Sequence, residues 1–165
     1  MNLSTPRFLN PTVLSARLAN KLSHRILQSL SLGPFALQKT VLEKILNRVF
    51  DEQIADGDFD FLSARFLRVE IYDIKFVSHF SFNGKAITIH KHARSDASIS
   101  GELLAFLLLI NQQEDPDSLF FQRRLIIDGD TALSLEVKNI LDTLELEKLP
   151  TAFRKGLAQL GKLLS

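Results

Sequence analysis

The spacing of apolar residues changes twice along this chain of 165 residues, and these changes limit its possible folds more than any other feature. Up to Ala55 they recur every third or fourth residue, as in amphipathic helices. From Phe66 to His90 they largely alternate with polar residues, which is typical of strands with one buried face. Helical spacing dominates again after Gly101. The sequence therefore predicts both helices and a group of strands.

Five strands are predicted, over Phe66–Tyr72, Lys75–Phe82, Lys85–His90, Ala97–Ser100 and Arg124–Asp128. Helices are predicted over Pro11–Leu30, Phe35–Ala55, Glu102–Asn111, Asp130 or Thr131 to about Leu146, and Pro150–Leu164, with a short turn or helix after Asp115. Because the strands are grouped, we expect an α+β fold in which helices cover one face of a mostly antiparallel sheet.

The dipeptide Asn83-Gly84 lies between the second and third predicted strands. Both central residues of a type I′ turn need positive φ, and Asn-Gly adopts that conformation more readily than other pairs. The sequence therefore predicts a tight hairpin at this point.

Composition excludes several functions. The chain has no cysteine, so disulfides, thiolate metal sites and cysteine nucleophiles are excluded. Its formal net charge of +1 does not indicate nucleic acid as a partner. We find no signal peptide, and the most apolar run, Leu103–Ile110, is too short to cross a bilayer. We therefore expect a cytoplasmic protein, with peripheral binding at the inner membrane left open.

The two ends of the chain are basic and amphipathic. The predicted helix of the N-terminal segment, residues 1–32, has Arg17, Lys21 and Arg25 opposite its apolar stripe. The last predicted helix, Pro150–Leu164, contains no acidic residue. Such helices can lie in a lipid interface, so the pattern predicts membrane contact. The alternative is that both stripes pack on the domain formed by residues 33–165.

Two pairs of residues could carry chemistry. His90 and His92 would share one face of a continuing strand and could bind a metal, but no third ligand is evident. Asp128 and Asp130 could form a carboxylate pair. The alternatives are two solvated histidines at a strand end, and a turn at Gly129 followed by a helix cap at Asp130. The sequence thus predicts neither catalytic residues nor a metal site.

Apolar residues of the later elements are the stronger candidates for ligand contact. We expect them to converge on one face of the sheet, where they would form either a filled core or a lipid cavity. The candidate lipid-binding residues are Phe106, Phe120, Phe121, Leu125, Ile127, Leu135, Ile140 and Leu144.

The segment from Asp115 to Asn139 resembles the sterol carrier protein (type two) lipid-binding family, and within it the UbiT-type group of bacterial ubiquinone accessory factors. The matching runs are Asp-Pro-Asp-Ser-Leu-Phe-Phe-Gln-Arg-Arg-Leu at 115–125, Gly-Asp-Thr at 129–131 and Val-Lys-Asn at 137–139. Upstream, Gly33–Leu37, Phe61-Leu62 with Arg65, and Asn83–Lys85 fit in the same order. Ala64 departs from the pattern, since a glycine is expected there.

This resemblance implies a hydrophobic tunnel between sheet and helices that holds an acyl or isoprenoid chain, without catalysis and without a cofactor. It further implies a role in oxygen-independent ubiquinone biosynthesis, with isoprenoid quinone intermediates or phospholipid and other ubiquinone biosynthesis proteins as partners. One alternative is a peripheral phospholipid-binding scaffold without an isoprenoid pocket. The other is a small enzyme that uses the histidine or aspartate pair.

Arg123 and Arg124 precede the apolar run Leu125–Ile127. An unpaired arginine is costly to bury, so we expect these side chains to contact an anionic head group or a protein partner. The alternative is a salt bridge to Asp128 or Glu102 at the start of the strand.

Overall fold

The computed structural model describes residues 33–144 and 151–164. The predicted helix Pro11–Leu30, with Arg17, Lys21 and Arg25, lies outside the described residues. The helices are α1 (Phe35–Val49), α2 (Asp51–Ala55), α3 (Leu103–Ile110), α4 (Pro116–Phe121), α5 (Thr131–Asp142) and α6 (Thr151–Leu164). The strands are β1 (Leu67–Ile71), β2 (Phe76–Phe82), β3 (Ile87–His90), β4 (Ala97–Gly101) and β5 (Leu125–Gly129).

The five strands form one sheet in the order β3-β2-β1-β4-β5. Pairing is antiparallel except between β1 and β4, which run parallel. Asp96 fixes this parallel pair, because its carboxylate accepts a hydrogen bond from Phe66 N–H and its own N–H donates to the Phe66 carbonyl, both at 2.8 Å. The predicted α+β fold with a mostly antiparallel sheet is confirmed.

One face of the sheet forms the core with the helices. Alternate residues such as Leu67, Phe82, Ile99 and Leu125 point into it and are buried. The opposite face carries mainly polar residues, including Arg68, whose guanidinium pairs with Glu70 on the same strand at 2.8 Å. This division follows from the period of two in the strands.

The second predicted helix is interrupted in the structure. It was expected to run unbroken from Phe35 to Ala55, but α1 ends at Val49, and Phe50 leaves the helical conformation with φ −106° and ψ 24°. The Phe50 ring is buried edge-to-face against Phe59, with 5.2 Å between ring centroids. Since the apolar pattern continues through the break, periodicity alone could not locate it.

The predicted hairpin forms, but the type I′ turn is wrong. The last strand pair is Phe82 with Ile87, so four residues connect β2 and β3. Gly84 has φ +85°, whereas Asn83 is not in the left-handed region. The Asn83 side chain instead accepts hydrogen bonds from the N–H groups of Lys85 and Ala86, at 3.0 and 2.9 Å. Asn83 thus closes the loop with its side-chain oxygen and also with its backbone N–H, which donates to the Ala86 carbonyl at 3.2 Å.

The outer edge of β3 is covered by side chains of α1. Asn47 accepts a hydrogen bond from Ile87 N–H at 2.7 Å and donates one to the Ile87 carbonyl at 2.9 Å. Glu43 accepts from Ile89 N–H at 2.8 Å. These two side chains take the place of a further strand at this edge of the sheet.

The last helix packs on the domain. Leu157 and Leu160 of α6 are partly buried against hydrophobic clusters that include Leu103 and Leu107 of α3. These two residues thus pack on the domain, as in the alternative interpretation, and membrane contact by this helix stays a prediction.

Candidate functional site

The segment that carries the family resemblance folds into α4, β5 and the start of α5. Asp115 caps α4 by accepting a hydrogen bond from Ser118 N–H at 2.8 Å, and this bond lowers the pKa of its carboxyl group. Asp130 caps α5 by accepting from Leu133 N–H at 2.8 Å. Gly129 has φ +112°, and a Cβ there would lie 2.5 Å from the Asp96 carbonyl oxygen. This turn therefore requires glycine.

A groove of about 520 Å³ lies between α4, β5 and α5. Its walls are largely apolar, with two cationic side chains among them. The lining residues are Phe120, Arg123, Leu125, Ile126, Ile127, Thr131, Ser134, Leu135 and Lys138. A second concavity of about 610 Å³ adjoins it and shares Phe120 and Lys138 with the groove.

Five of the eight predicted lipid-binding residues line these two spaces. Phe120, Leu125, Ile127 and Leu135 line the groove, and Leu135 is 57% exposed although it is apolar. Phe121 lines the second concavity and is 91% exposed. A fully solvated phenylalanine loses the benefit of burial, so a surface that covers Phe121 would stabilise it.

The other three predicted residues belong to the core. Phe106 is buried beneath the sheet, and Ile140 and Leu144 pack against the same cluster. The structure does not bring them to the groove. These three residues therefore pack in a filled core, which was the alternative to a lipid cavity in the sequence analysis.

The two adjacent arginines have different surroundings. Arg124 pairs with Glu114 at 3.0 Å, so it forms a salt bridge as in the alternative interpretation, but with a partner other than Asp128 or Glu102. Arg123 is exposed and forms no ion pair with any residue that the structure describes. Its backbone is left-handed, with φ +58°, at the end of α4. Glycine is the usual residue in that conformation.

Lys138 and Ile126 line the groove but were not predicted to be site residues. Lys138 forms an ion pair with Asp117 of α4, and this hydrogen-bonded carboxylate raises the pKa of the lysine. One turn of helix separates Lys138 from Leu135, which the sequence did select. Ile126 points to the opposite face from Ile127, and it reaches the groove because β5 is an edge strand.

The residues considered for chemistry have structural partners instead. The His90 Nε2 atom lies 2.9 Å from the Ser81 hydroxyl, and β3 ends there, so His92 does not continue the strand. Asp128 accepts from Gly129 N–H, and Asp130 pairs with Arg65 at 3.5 Å while it caps α5. The strand, turn and cap interpretation is confirmed. Within residues 33–144 and 151–164, no cluster of three or more His, Asp or Glu is placed to bind a metal.

Comparison with known proteins agrees with this architecture. Residues 42–142 match the SCP-2 sterol transfer family. The chain belongs to this family. Over 130 residues it is 41% identical to the ubiquinone biosynthesis accessory factor UbiT of Escherichia coli (strain K12), covering 79% of this chain and 75% of UbiT. The predicted resemblance to UbiT-type members of the family is therefore confirmed.

The solved structure of another family member supports the fold. The UbiJ-SCP2 ubiquinone synthesis protein superposes with a TM-score of 0.55 at 18% identity, covering 68% of this chain and all of that one. Among the described helices, none is long and apolar enough to cross a membrane.

Proposed function

We propose that this protein is a non-enzymatic lipid-binding accessory factor in bacterial, oxygen-independent ubiquinone biosynthesis. It holds the apolar chain of an isoprenoid quinone precursor or a phospholipid in the groove between α4, β5 and α5, and presents it to ubiquinone enzymes. The observation that carries the proposal is the open apolar groove, which lies in the segment that defines the resemblance. The similarity to UbiT supports the pathway.

The size and lining of the groove fit an aliphatic chain. Small-molecule sites typically enclose roughly 300–1,000 Å³, and the groove lies within this range. Each methylene group moved from water to an apolar wall contributes about 0.8 kcal/mol. A prenyl chain gains this stabilisation at every unit that the groove covers, and the exposed walls at Leu135 and Ile126 lose contact with water at the same time.

Arg123 supports a ligand with an anionic head. A residue other than glycine in the left-handed conformation costs roughly 1–2 kcal/mol. Arg123 has this conformation, so an arginine here lowers the stability of the fold relative to glycine. A guanidinium can donate two parallel hydrogen bonds to a phosphate or carboxylate. Arg123 is thus an exposed cation at the groove wall that forms no ion pair within the described part of the chain.

A second candidate function is a peripheral scaffold that binds membrane phospholipid without a dedicated isoprenoid pocket. It is favoured by Phe121, whose exposed ring lies two residues from Arg123. An aromatic ring beside a cation is the combination that enters an anionic lipid interface. The basic residues Arg17, Lys21 and Arg25 would add to this attraction.

Native mass spectrometry of the purified full chain tests the proposal. We expect a prenylated quinone precursor or a phospholipid bound to the wild type, and its loss in Leu135→Glu. The matched control is Val77→Glu, since Val77 is also exposed but lies on the polar face of β2. A Leu135→Glu variant that is folded by circular dichroism and carries lipid at the wild-type ratio would exclude the groove as the binding site.

The nature of the bound lipid separates the two candidates. A prenylquinone precursor supports the accessory factor with a dedicated site. Phospholipid alone, together with flotation on anionic vesicles that requires Phe121, supports the scaffold. Vesicles of phosphatidylcholine with and without phosphatidylglycerol, at low and high salt, measure the electrostatic part of binding.

A further inference from the structure

The two edges of the sheet differ in how their backbone groups are satisfied. At the β3 edge, Asn47 binds the outward N–H and carbonyl groups of Ile87, and Glu43 accepts a hydrogen bond from the outward N–H of Ile89. At the β5 edge, no side chain among the described residues does the same. Open backbone groups at an edge are ready to pair with another strand, so proteins usually cover or charge such edges. The β5 edge can therefore accept one more strand.

A hydrogen bond next to β5 shows which backbone groups face outward. Asp130 N–H donates to the Asp96 carbonyl at 2.9 Å, while the Ala97 N–H points to the Phe66 carbonyl on the β1 side at 3.5 Å. Hydrogen-bonded and non-hydrogen-bonded pairs alternate along an antiparallel ladder, so the hydrogen-bonded pairs between β4 and β5 are Asp128 with Ser98 and Ile126 with Ser100. The N–H and carbonyl groups of the intervening Leu125 and Ile127 therefore point away from β4.

We propose that a second copy of this chain pairs antiparallel with β5, about a two-fold axis between the two Ile126 residues. In this register Leu125 of each copy exchanges backbone hydrogen bonds with Ile127 of the other. Ile126, which is 50% exposed, then lies directly opposite its own copy, on the sheet face away from the helices. The two five-stranded sheets become one continuous sheet.

Charge favours the second copy as the occupant. Asp128 lies near the end of β5 on the same face as Ile126, and Arg124, whose guanidinium also pairs with Glu114, directly precedes the strand. Two-fold pairing places Arg124 of one copy opposite Asp128 of the other, twice. Opposite charges in cross-strand pairs are favourable, and like charges are not. A lipid chain along the same edge would leave the backbone groups of Ile127 without partners.

This inference stands on the strand edge and does not depend on lipid binding in the groove. Leu125, Ile126 and Ile127 also line the groove, so the second copy would cover its open side. Dimerisation is therefore measured on both delipidated and lipid-loaded protein. If the protein binds no lipid, the delipidated sample still shows whether two copies pair through β5.

Disulfide trapping tests the register, because the chain has no cysteine of its own. In the proposed pair the two Ile126 Cα atoms lie about 4.5 Å apart, within the range that a disulfide spans. We expect full-length Ile126→Cys to form a covalent dimer under mild oxidation at least an order of magnitude faster than Val77→Cys. Val77 is 40% exposed on the same sheet face, but lies on β2.

Sedimentation provides a measurement that needs no thiol. We expect the wild type to dimerise with rising concentration, and Ile126→Asp to stay monomeric because two carboxylates would face each other. Val77→Asp should dimerise as the wild type does, and circular dichroism checks that both variants fold. Equal cross-linking of the two cysteine variants, a monomeric wild type, or a dimer unaffected by Ile126→Asp would each overturn the proposal.

Discussion

Lys138 of α5 and Asp117 of α4 form an ion pair that joins the two helices beside the groove. Both side chains line the concavity that contains Phe121, and Lys138 lines the groove as well. The positive charge of Lys138 is therefore shared between a carboxylate of the protein and any anionic group that enters from outside.

Asp117→Asn should strengthen binding of anionic lipid, and Lys138→Met should weaken it. The first change releases the lysine from its partner, and the second removes the charge. An exposed pair contributes about 0–1 kcal/mol to stability, so both variants should unfold near the wild-type midpoint. Flotation with phosphatidylglycerol vesicles measures the binding. A change in the same direction for both variants would contradict the role given to Lys138.

Arg123→Gly should stabilise the fold by about 1 kcal/mol and reduce binding of anionic lipid. Glycine adopts the left-handed conformation of this position without steric cost, and the cation is lost. Lys75→Gly is a matched control, because Lys75 is also an exposed cation with φ +56° but does not line the groove. Urea denaturation should show a gain in both variants. If lipid binding falls equally in both, a general loss of charge explains it.

Ala64→Gly should raise the free energy of unfolding by about 0.5–1 kcal/mol. Ala64 has φ +60°, a conformation that glycine adopts more easily, in agreement with the glycine that the family resemblance leads us to expect there. The gain is smaller than the full strain, because glycine also increases the entropy of the unfolded chain. Ser63→Gly is the comparison, since Ser63 has an ordinary φ of −66° and gains no relief. A lower stability for Ala64→Gly in chemical denaturation would refute this account.

Asn47→Ala should lower the free energy of unfolding by about 1–3 kcal/mol. The substitution leaves the N–H and the carbonyl of Ile87, at the covered edge of β3, without their hydrogen-bond partner. Asn139→Ala, on the exposed side of α5, should change stability by less than about 0.5 kcal/mol. Thermal denaturation followed by circular dichroism compares them. Asn47→Ala should also aggregate more than the wild type, because the β3 edge is no longer covered. Light scattering, compared at temperatures where both proteins are folded to the same fraction, measures this aggregation.

The free energy of unfolding should fall on acidification, because protonation of His79 is disfavoured in the folded protein. This side chain is buried on β2, and its Nδ1 atom has no hydrogen-bond partner among the residues that the structure describes. Burial lowers its pKa, and Arg68 adds to the effect. His90 and His92 are near neighbours, and backbone hydrogen bonds oppose the shift. A lowered folded pKa means that the unfolded chain binds the proton first, so stability is full above about pH 6.5 and declines below it. His79→Gln should show a shallower loss of melting temperature between pH 7.5 and 5.5.

The strands and the turn at Gly129 followed local patterns and could be predicted. Alternation predicted β1, and β-branched and aromatic residues predicted β2, both within one residue of the observed ends. Gly129 with Asp130 predicted a turn and a helix cap. The place of β4 in the sheet, parallel to β1, could not be derived this way. Its parallel pairing depends on Asp96 and Phe66, which are thirty residues apart in the chain. No short-range pattern reports such a contact.

Part of the groove could also be predicted, because several of its residues belong to a local motif. Phe120, Leu125, Ile127 and Leu135 were selected from a motif and do line it. Phe106 and Ile140 share their chemistry but lie in the core, because packing partners on other helices cover them. Ile126 was missed because alternation assigns it to the far face, and the sequence does not reveal that β5 is an edge strand.

The hydrogen bonds from α1 to β3 also have a consequence for the order of events during synthesis. Asn47 and Ile87 are separated by 40 residues, so the helix leaves the ribosome well before the strand that it covers. At about 5–20 residues per second, that interval is on the order of a few seconds. The side chains that block the β3 edge are thus already present when this edge first emerges. At the β5 edge, the corresponding partner would have to come from another finished chain.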